Sequence, residues 1–354
     1  MSAIVDGATA TQHRSGPTPM RDHTNLDLLR AFAVTLVVWD HTAFTFGHFV
    51  PGGGIFGVYL FFLHTSLVLM WSLERQPFVL PFYIRRVFRI YPLAIVAILV
   101  AVLFHVPVQS GGGWYPFHPF SPGTVLANLL LVEDLALRPL IVGVFWTLSI
   151  EVQMYLLLPA LFFFVIRERR LWQPLLLWLL AVAVARVAIP LAAGNTLITV
   201  APHFLAGVIA FLAFARLRPI LPAWLFPPFV LALLGLFLLR PTVHTSWPIT
   251  LLLALTLPLF QQVRARLIVF VANRLALYSY GIYVWHEFGM KLAAHLLASF
   301  SDTVKISAEL LFIAVTAILG YHLVEAPAMR LGARLQRHAH PRLRPPVPEL
   351  EPVP

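Results

Sequence analysis

The sequence predicts an all-α, polytopic membrane protein of about ten transmembrane helices, and three observations carry that expectation. Of its 354 residues, 59% are hydrophobic and only 11% charged, against about 25% charged in an ordinary soluble domain. Several apolar runs reach the roughly 20 residues that carry a helix across a bilayer. The basic residues, finally, are spread over the connecting segments in a way that fits one orientation only.

The expected spans fall at 26–47, 54–73, 91–107, 143–166, 172–190, 198–215, 223–239, 248–260, 268–297 and 304–325. The eighth is short and needs an extension or a tilt. Residues 1–25 are polar, with no apolar core followed by a small-residue cleavage site, so they read as a cytoplasmic tail and not as a signal peptide. With that tail inside, 19 of the 25 lysines and arginines are cytoplasmic. Arg138, Arg240, Lys291 and Lys305 fall outside or late in outward spans. Both termini are therefore expected in the cytoplasm.

Residues 26–333 make one membrane domain, and the Pro- and Arg-rich residues 334–354 a disordered cytoplasmic tail. The longest outside segment, 108–140, opens on an aromatic, Gly-rich stretch at 111–120. It continues into an apolar run interrupted by Glu133 and Asp134, which reads as a re-entrant or interfacial helix. The net charge of +10 is accounted for by topology determinants beside anionic lipid, so no nucleic-acid partner is expected. Cysteine is absent, which excludes disulfides, thiolate metal sites and a cysteine nucleophile.

Chemistry enters with the first span, which carries Asp27, Arg30, Asp40 and His41. An ionisable group at the centre of a spanning helix costs about 2.5–3.5 kcal/mol on insertion scales, and such groups face a polar cavity or a partner. Arg30 and His41 lie eleven residues apart. That is about three turns, so they share one face, separated by roughly 16 Å along the axis. A cation at one depth and a titratable imidazole at another read as a path through the membrane. The plainer alternative is a snorkelling arginine and a packing histidine.

In FYIRRVFRIYP, residues 82–92, Arg86 and Arg89 are three apart and share a face if the segment is helical. Two guanidinium forks there can hold phosphates bidentately. They can equally be helix-end anchors. In FWTLSIEVQMYLLLP, residues 145–159, Glu151 sits in an apolar span with Trp146, Ser149 and Gln153 near it. Such a carboxylate must be protonated, paired or wet, and Arg30 or a histidine is its natural partner. His286 and Glu287 lie deep in the ninth span, and Glu325 at the cytoplasmic end of the tenth. His64 and His203 read as satisfied core histidines. No helix carries a His-x-x-x-His pair or a His/carboxylate cluster, which disfavours metal ligation.

Taken together, LDLLRAFAVTLVVWDH, GVYLFFLHTSLVLM, FYIRRVFRIYP, FWTLSIEVQMYLLLPAL, YSYGIYVWHEF and HLVEAPAMRL resemble the integral-membrane acyltransferase family 3, in the family's order from about residue 26 to 333. The resemblance implies a ten-helix fold in a bacterial plasma (inner) membrane. It implies transfer of an acyl group, commonly acetyl from acetyl-CoA, to a hydroxyl of a carbohydrate or glycosylated acceptor. No permanently bound cofactor is implied, with acyl-CoA a co-substrate.

The family's Arg-x10-His motif falls on Arg30 and His41, its Arg-x-x-Arg on Arg86 and Arg89, and its Trp-x-Leu-x-x-Glu on Trp146, Leu148 and Glu151. The family's usual serine-glycine after the second-helix Phe-Phe is replaced around His64-Thr65-Ser66, and Val152 stands for the second Glu of a usual Glu-Glu-Gln. On this reading His41, Arg30 and Glu151 are catalytic and Arg86 and Arg89 bind the donor. Asp40, Trp146, Ser149, His286 and Glu325 support them. A transporter, with buried charges marking a substrate path, is the competing class.

Overall fold

The computed structural model describes residues 23–47, 51–106, 120–168, 170–189 and 196–339. Most of the expected N-terminal tail, the aromatic segment to residue 119, Arg169 and residues 340–354 lie outside the described residues. The rest is helix, and no strand occurs among the described residues.

Helices form at each of the ten expected positions: α1 (Thr24–Thr45), α2 (Gly53–Arg75), α3 (Val79–Leu103), α5 (Trp146–Glu168), α6 (Trp172–Ala188), α7 (Leu197–Arg216), α8 (Phe226–Leu239), α9 (Val243–Thr256), α10 (Arg266–Leu296) and α11 (Asp302–Gly320). Two more, α4 (Pro122–Leu129) and α12 (Ala326–Ala339), complete the described chain. Among the described residues six segments are long and apolar enough to cross a membrane: α2, α3, α5 with its leading turn, α7, α10, and α11 run together with α12. Six of the ten expected crossings thus qualify on length and composition among the described residues. The helices α6, α8 and α9 are apolar but short, and the charges of α1 dilute its apolar run.

Two of the shifted boundaries bear on the site and the chain's end. Helix α3 begins at Val79, so Arg86 and Arg89 sit inside it and not ahead of it. Pro92 is tolerated there because only the bond to the carbonyl one turn back is lost. At the other end, helix continues through Ala339, past the expected boundary at 333.

The core is built around α1, α2 and α10, with α7 closing on α2. Small residues set the spacing. A Cβ on Gly207 would stand 1.9 Å from Ser66 Oγ and 2.2 Å from the Leu63 carbonyl, so α7 touches α2 backbone to backbone. Gly57 likewise admits the Ala33 carbonyl of α1, and Gly281 admits Ala317 of α11. Such close approaches hold helices together where lipid removes the hydrophobic drive between them. Large apolar side chains such as Leu156, Leu157, Phe163 and Phe164 face outward on α5, as suits a surface solvated by acyl chains.

Candidate functional site

A cavity of about 120 Å³ opens between α1, α2, α3, α5 and α10. Arg30, Arg86, Arg89 and Glu151 all line it, together with His64, Ser279, Tyr155, Tyr280 and Tyr283. Four of the five residues singled out as catalytic or donor-binding thus converge from three separate helices. The fifth, His41, stands apart.

Each charge is held differently. Arg30 donates from Nε to Ser279 Oγ of α10 at 2.6 Å. Arg89 forms an ion pair with Glu325, whose side chain is 1% exposed. Glu151 accepts a hydrogen bond from the Tyr155 hydroxyl one turn along its own helix. Arg30 and Arg86 both act on Glu151 electrostatically, yet no ion pair joins either of them to it among the described residues. The expected Arg30–Glu151 pairing is therefore an opposition across a cavity. Arg86 leaves its buried Nε without a partner. With Arg89 answered by Glu325, two guanidiniums face one carboxylate, and the cavity favours an anion.

Glu325 owes its place to an irregularity. Residues Tyr321–Glu325 form a π turn between α11 and α12. Pro327 lacks the N–H that would bond one turn back, and widening the turn relieves the clash of its ring. The carboxylate is thereby turned onto α3.

Farther along α1 and α10 the ring centroids of His41 and His286 lie 5.0 Å apart, edge to face. His41 donates from Nδ1 to the Val37 carbonyl at 2.8 Å, and His286 from Nδ1 to the Tyr283 carbonyl at 2.6 Å. Both bonds assign the proton to Nδ1 and leave Nε2 as the basic atom. His286 Nε2 is buried and unpartnered. Tyr283 connects the two regions: it lines the cavity, and its ring centroid lies 5.6 Å from that of His286.

Asp40, Trp146, Ser149 and His203 do not line the cavity. Asp40 stands against the start of α2, where a Cβ on Gly54 would meet its Oδ2 at 2.7 Å. A carboxylate there complements the positive end of the helix. Trp146 packs edge-on to Phe62. Ser149 donates to Asp134, which also accepts from Gln153 Nε2 at 2.7 Å, so both tie the 130–142 loop to α5. His203 is a satisfied core histidine, bonded to Thr250 Oγ1 at 2.9 Å and stacked on Tyr59. Among the described residues no metal-binding cluster occurs.

Sequence reasoning missed Ser279, Tyr155 and Tyr280. Of these, Tyr155 had a signal, the i,i+4 spacing from Glu151. It also missed Glu309, 1% exposed, whose Oε1 accepts from Thr42 at 2.5 Å beside His41.

Residues 23–324 match the description of one protein family, the Acyltransferase domain. The chain is also similar to the acyltransferase MdmB of Streptomyces mycarofaciens, 34% identical over 150 residues. That match covers 39% of this chain and 35% of the relative, so it spans well under half of either. No solved structure matches. Since most of its length is matched, the chain belongs to the integral-membrane acyltransferases of family 3.

Proposed function

We propose that this protein transfers an acyl group, most simply acetyl, from acyl-CoA to a hydroxyl of a carbohydrate or glycosylated acceptor. On this reading α1–α3 and α5–α11 make ten crossings of a plasma (inner) membrane, with both termini cytoplasmic. The observation that carries it is the arrangement along α1: a cationic cavity at Arg30 and an imidazole about three turns farther on the same unbroken helix. The excess positive charge of Arg30 and Arg86 attracts the donor's phosphates. The roughly 16 Å between Arg30 and His41 suits an extended pantetheine arm.

At the far end His41 Nε2 takes the proton of the acceptor hydroxyl. The hydroxyl oxygen attacks the thioester carbonyl, the C–S bond breaks, and the CoA thiolate leaves and recovers the proton from His41. An imidazole suits this exchange because its neutral ring accepts a proton at one nitrogen and returns it as the imidazolium. The tautomer set by the Val37 carbonyl points the free lone pair away from the helix's own backbone.

The test supplies purified protein in sealed proteoliposomes with acetyl-CoA labelled in its acetyl group and a membrane glycan extract. Free CoA and labelled glycan are expected. Labelled acetyl-CoA that crosses the bilayer intact would instead make the protein a transporter.

A further inference from the structure

The cavity at Arg30 is too small for the donor it is proposed to receive. Its volume of about 120 Å³ falls below the roughly 300–1,000 Å³ of pockets that take ligands of drug size. A second space of about 1020 Å³ lies on the side expected to be cytoplasmic, between the inner ends of α1, α2, α7 and α10. Asp27, Trp71 and Asn273 border it, and on the same three helices Arg30, Leu69 and Ser279 border the cavity. The two spaces are therefore stacked along the helix axes, offset by about half a turn to nearly two turns.

We infer that this cleft is the subsite for the adenosine and its 3′-phosphate, with the diphosphate directed toward Arg30 and Arg86. The assignment rests on the acyl-CoA reading above and specifies where the far end of that donor sits. Two features of the wall fit such a group. Trp71 and Phe214 form an edge-to-face aromatic pair, centroids 5.1 Å apart, and His23 stacks on Trp71 at 4.5 Å, so a purine would join this cluster by taking the place of the His23 ring. Arg75, Arg218 and Arg264 are exposed and form no ion pair among the described residues, leaving three forks for phosphate oxygens.

The wall is also built. Asn25 holds the 261–263 segment through three bonds: its N–H to Gln262 Oε1 at 3.0 Å, its Nδ2 to the Gln261 carbonyl at 3.0 Å, and its Oδ1 from the Val263 N–H at 3.1 Å. Arg264 follows directly on that segment. Two carboxylates share the cleft. Asp27 faces the Arg30 side, and Glu74 is already engaged by a neighbour. The cations therefore remain in excess.

The test compares acetyl-CoA with acetyl-pantetheine, which carries the thioester and lacks the nucleotide. The readout is the ratio of kcat/KM for the two donors, which general damage to the protein leaves unchanged. Arg218→Gln combined with Arg264→Gln should lower that ratio about tenfold, the scale of one charge-assisted hydrogen bond or more. Trp71→Leu should lower it as well through lost stacking. Wild-type ratios in both variants would overturn the assignment while leaving the donor reading intact. A wild-type protein that processes neither thioester would sink the donor reading and this subsite with it.

Discussion

Arg30 and Arg86 carry positive charge that the cavity leaves only partly answered, and that imbalance separates the roles of the three arginines. Arg89 is committed to Glu325. Replacing Arg89 would strand a buried carboxylate and confuse binding with folding. Arg86→Gln is the cleaner probe. If Arg86 holds phosphates that do not change during transfer, its loss should raise KM for acyl-CoA by about tenfold and leave kcat nearly intact. A fall in kcat at saturating donor would place Arg86 at the reacting bond instead.

Glu151 is the other sharp test at this scale. Glu151→Gln keeps volume and the acceptor for Tyr155 but leaves the two guanidiniums facing no carboxylate. Breaking a buried charge balance costs about 3–5 kcal/mol, so the variant should lose thermal stability in detergent. Bound acyl-CoA, a polyanion, should restore part of it. Unchanged melting without ligand would show that Glu151 is uncharged.

The residues that gather here were legible because ionisable groups inside apolar runs are rare and spacing places them on faces. Their partners were not. Ser279 and Tyr280 are ordinary polar residues on a distant helix, and only the packing of α10 against α1 and α3 brings them in.

Among the elements, the π turn before α12 and the loop after α4 carry the most consequence. Pro327 was visible in the sequence, but the register shift that it imposes was not, since periodicity treats every turn alike. Pro327→Ala permits a regular helix and would rotate Glu325 off α3. It should therefore mimic Glu325→Gln in activity and melting temperature, and a fully active Pro327→Ala would sever the link between the turn and the ion pair.

The loop that reads as re-entrant does fold inward: α4 is short, and Glu133 beyond it is 1% exposed with both carboxylate oxygens unpartnered. Burial raises the Glu133 carboxyl from its ordinary 4.5 to about 7, with Asp134 adding to the shift. A raised acid holds in the folded state a proton that the unfolded chain has already released. Stability should therefore be greatest below about 4.5 and fall as pH rises through about 7. Glu133→Gln should flatten that slope in a detergent melting series, and a slope that persists unchanged would assign it to another group.

For the whole molecule, the helices follow the apolar runs closely, because a bilayer forces every backbone polar group into helix. Among the described residues six segments qualify on both length and composition, and the other expected crossings form as shorter or less apolar helices. The helices α8 and α9 have 14 residues each, and a single sequence does not reveal how a short pair is tilted or buried. The topology is tested by single cysteines in this cysteine-free chain at Leu137, which is 91% exposed, and at Arg218. An impermeant thiol reagent should label them from opposite sides, and labelling from the same side would refute the orientation.

The account depends above all on the division of labour along α1, with donor binding at one end and proton transfer at the other. It is tested most directly by measuring acetyl-CoA affinity and CoA release for wild type and His41→Ala in the same nanodiscs. The account predicts that donor affinity survives while CoA release falls about 10²–10⁴-fold, the scale of a positioned acid–base group. Release at the wild-type rate from His41→Ala would contradict it.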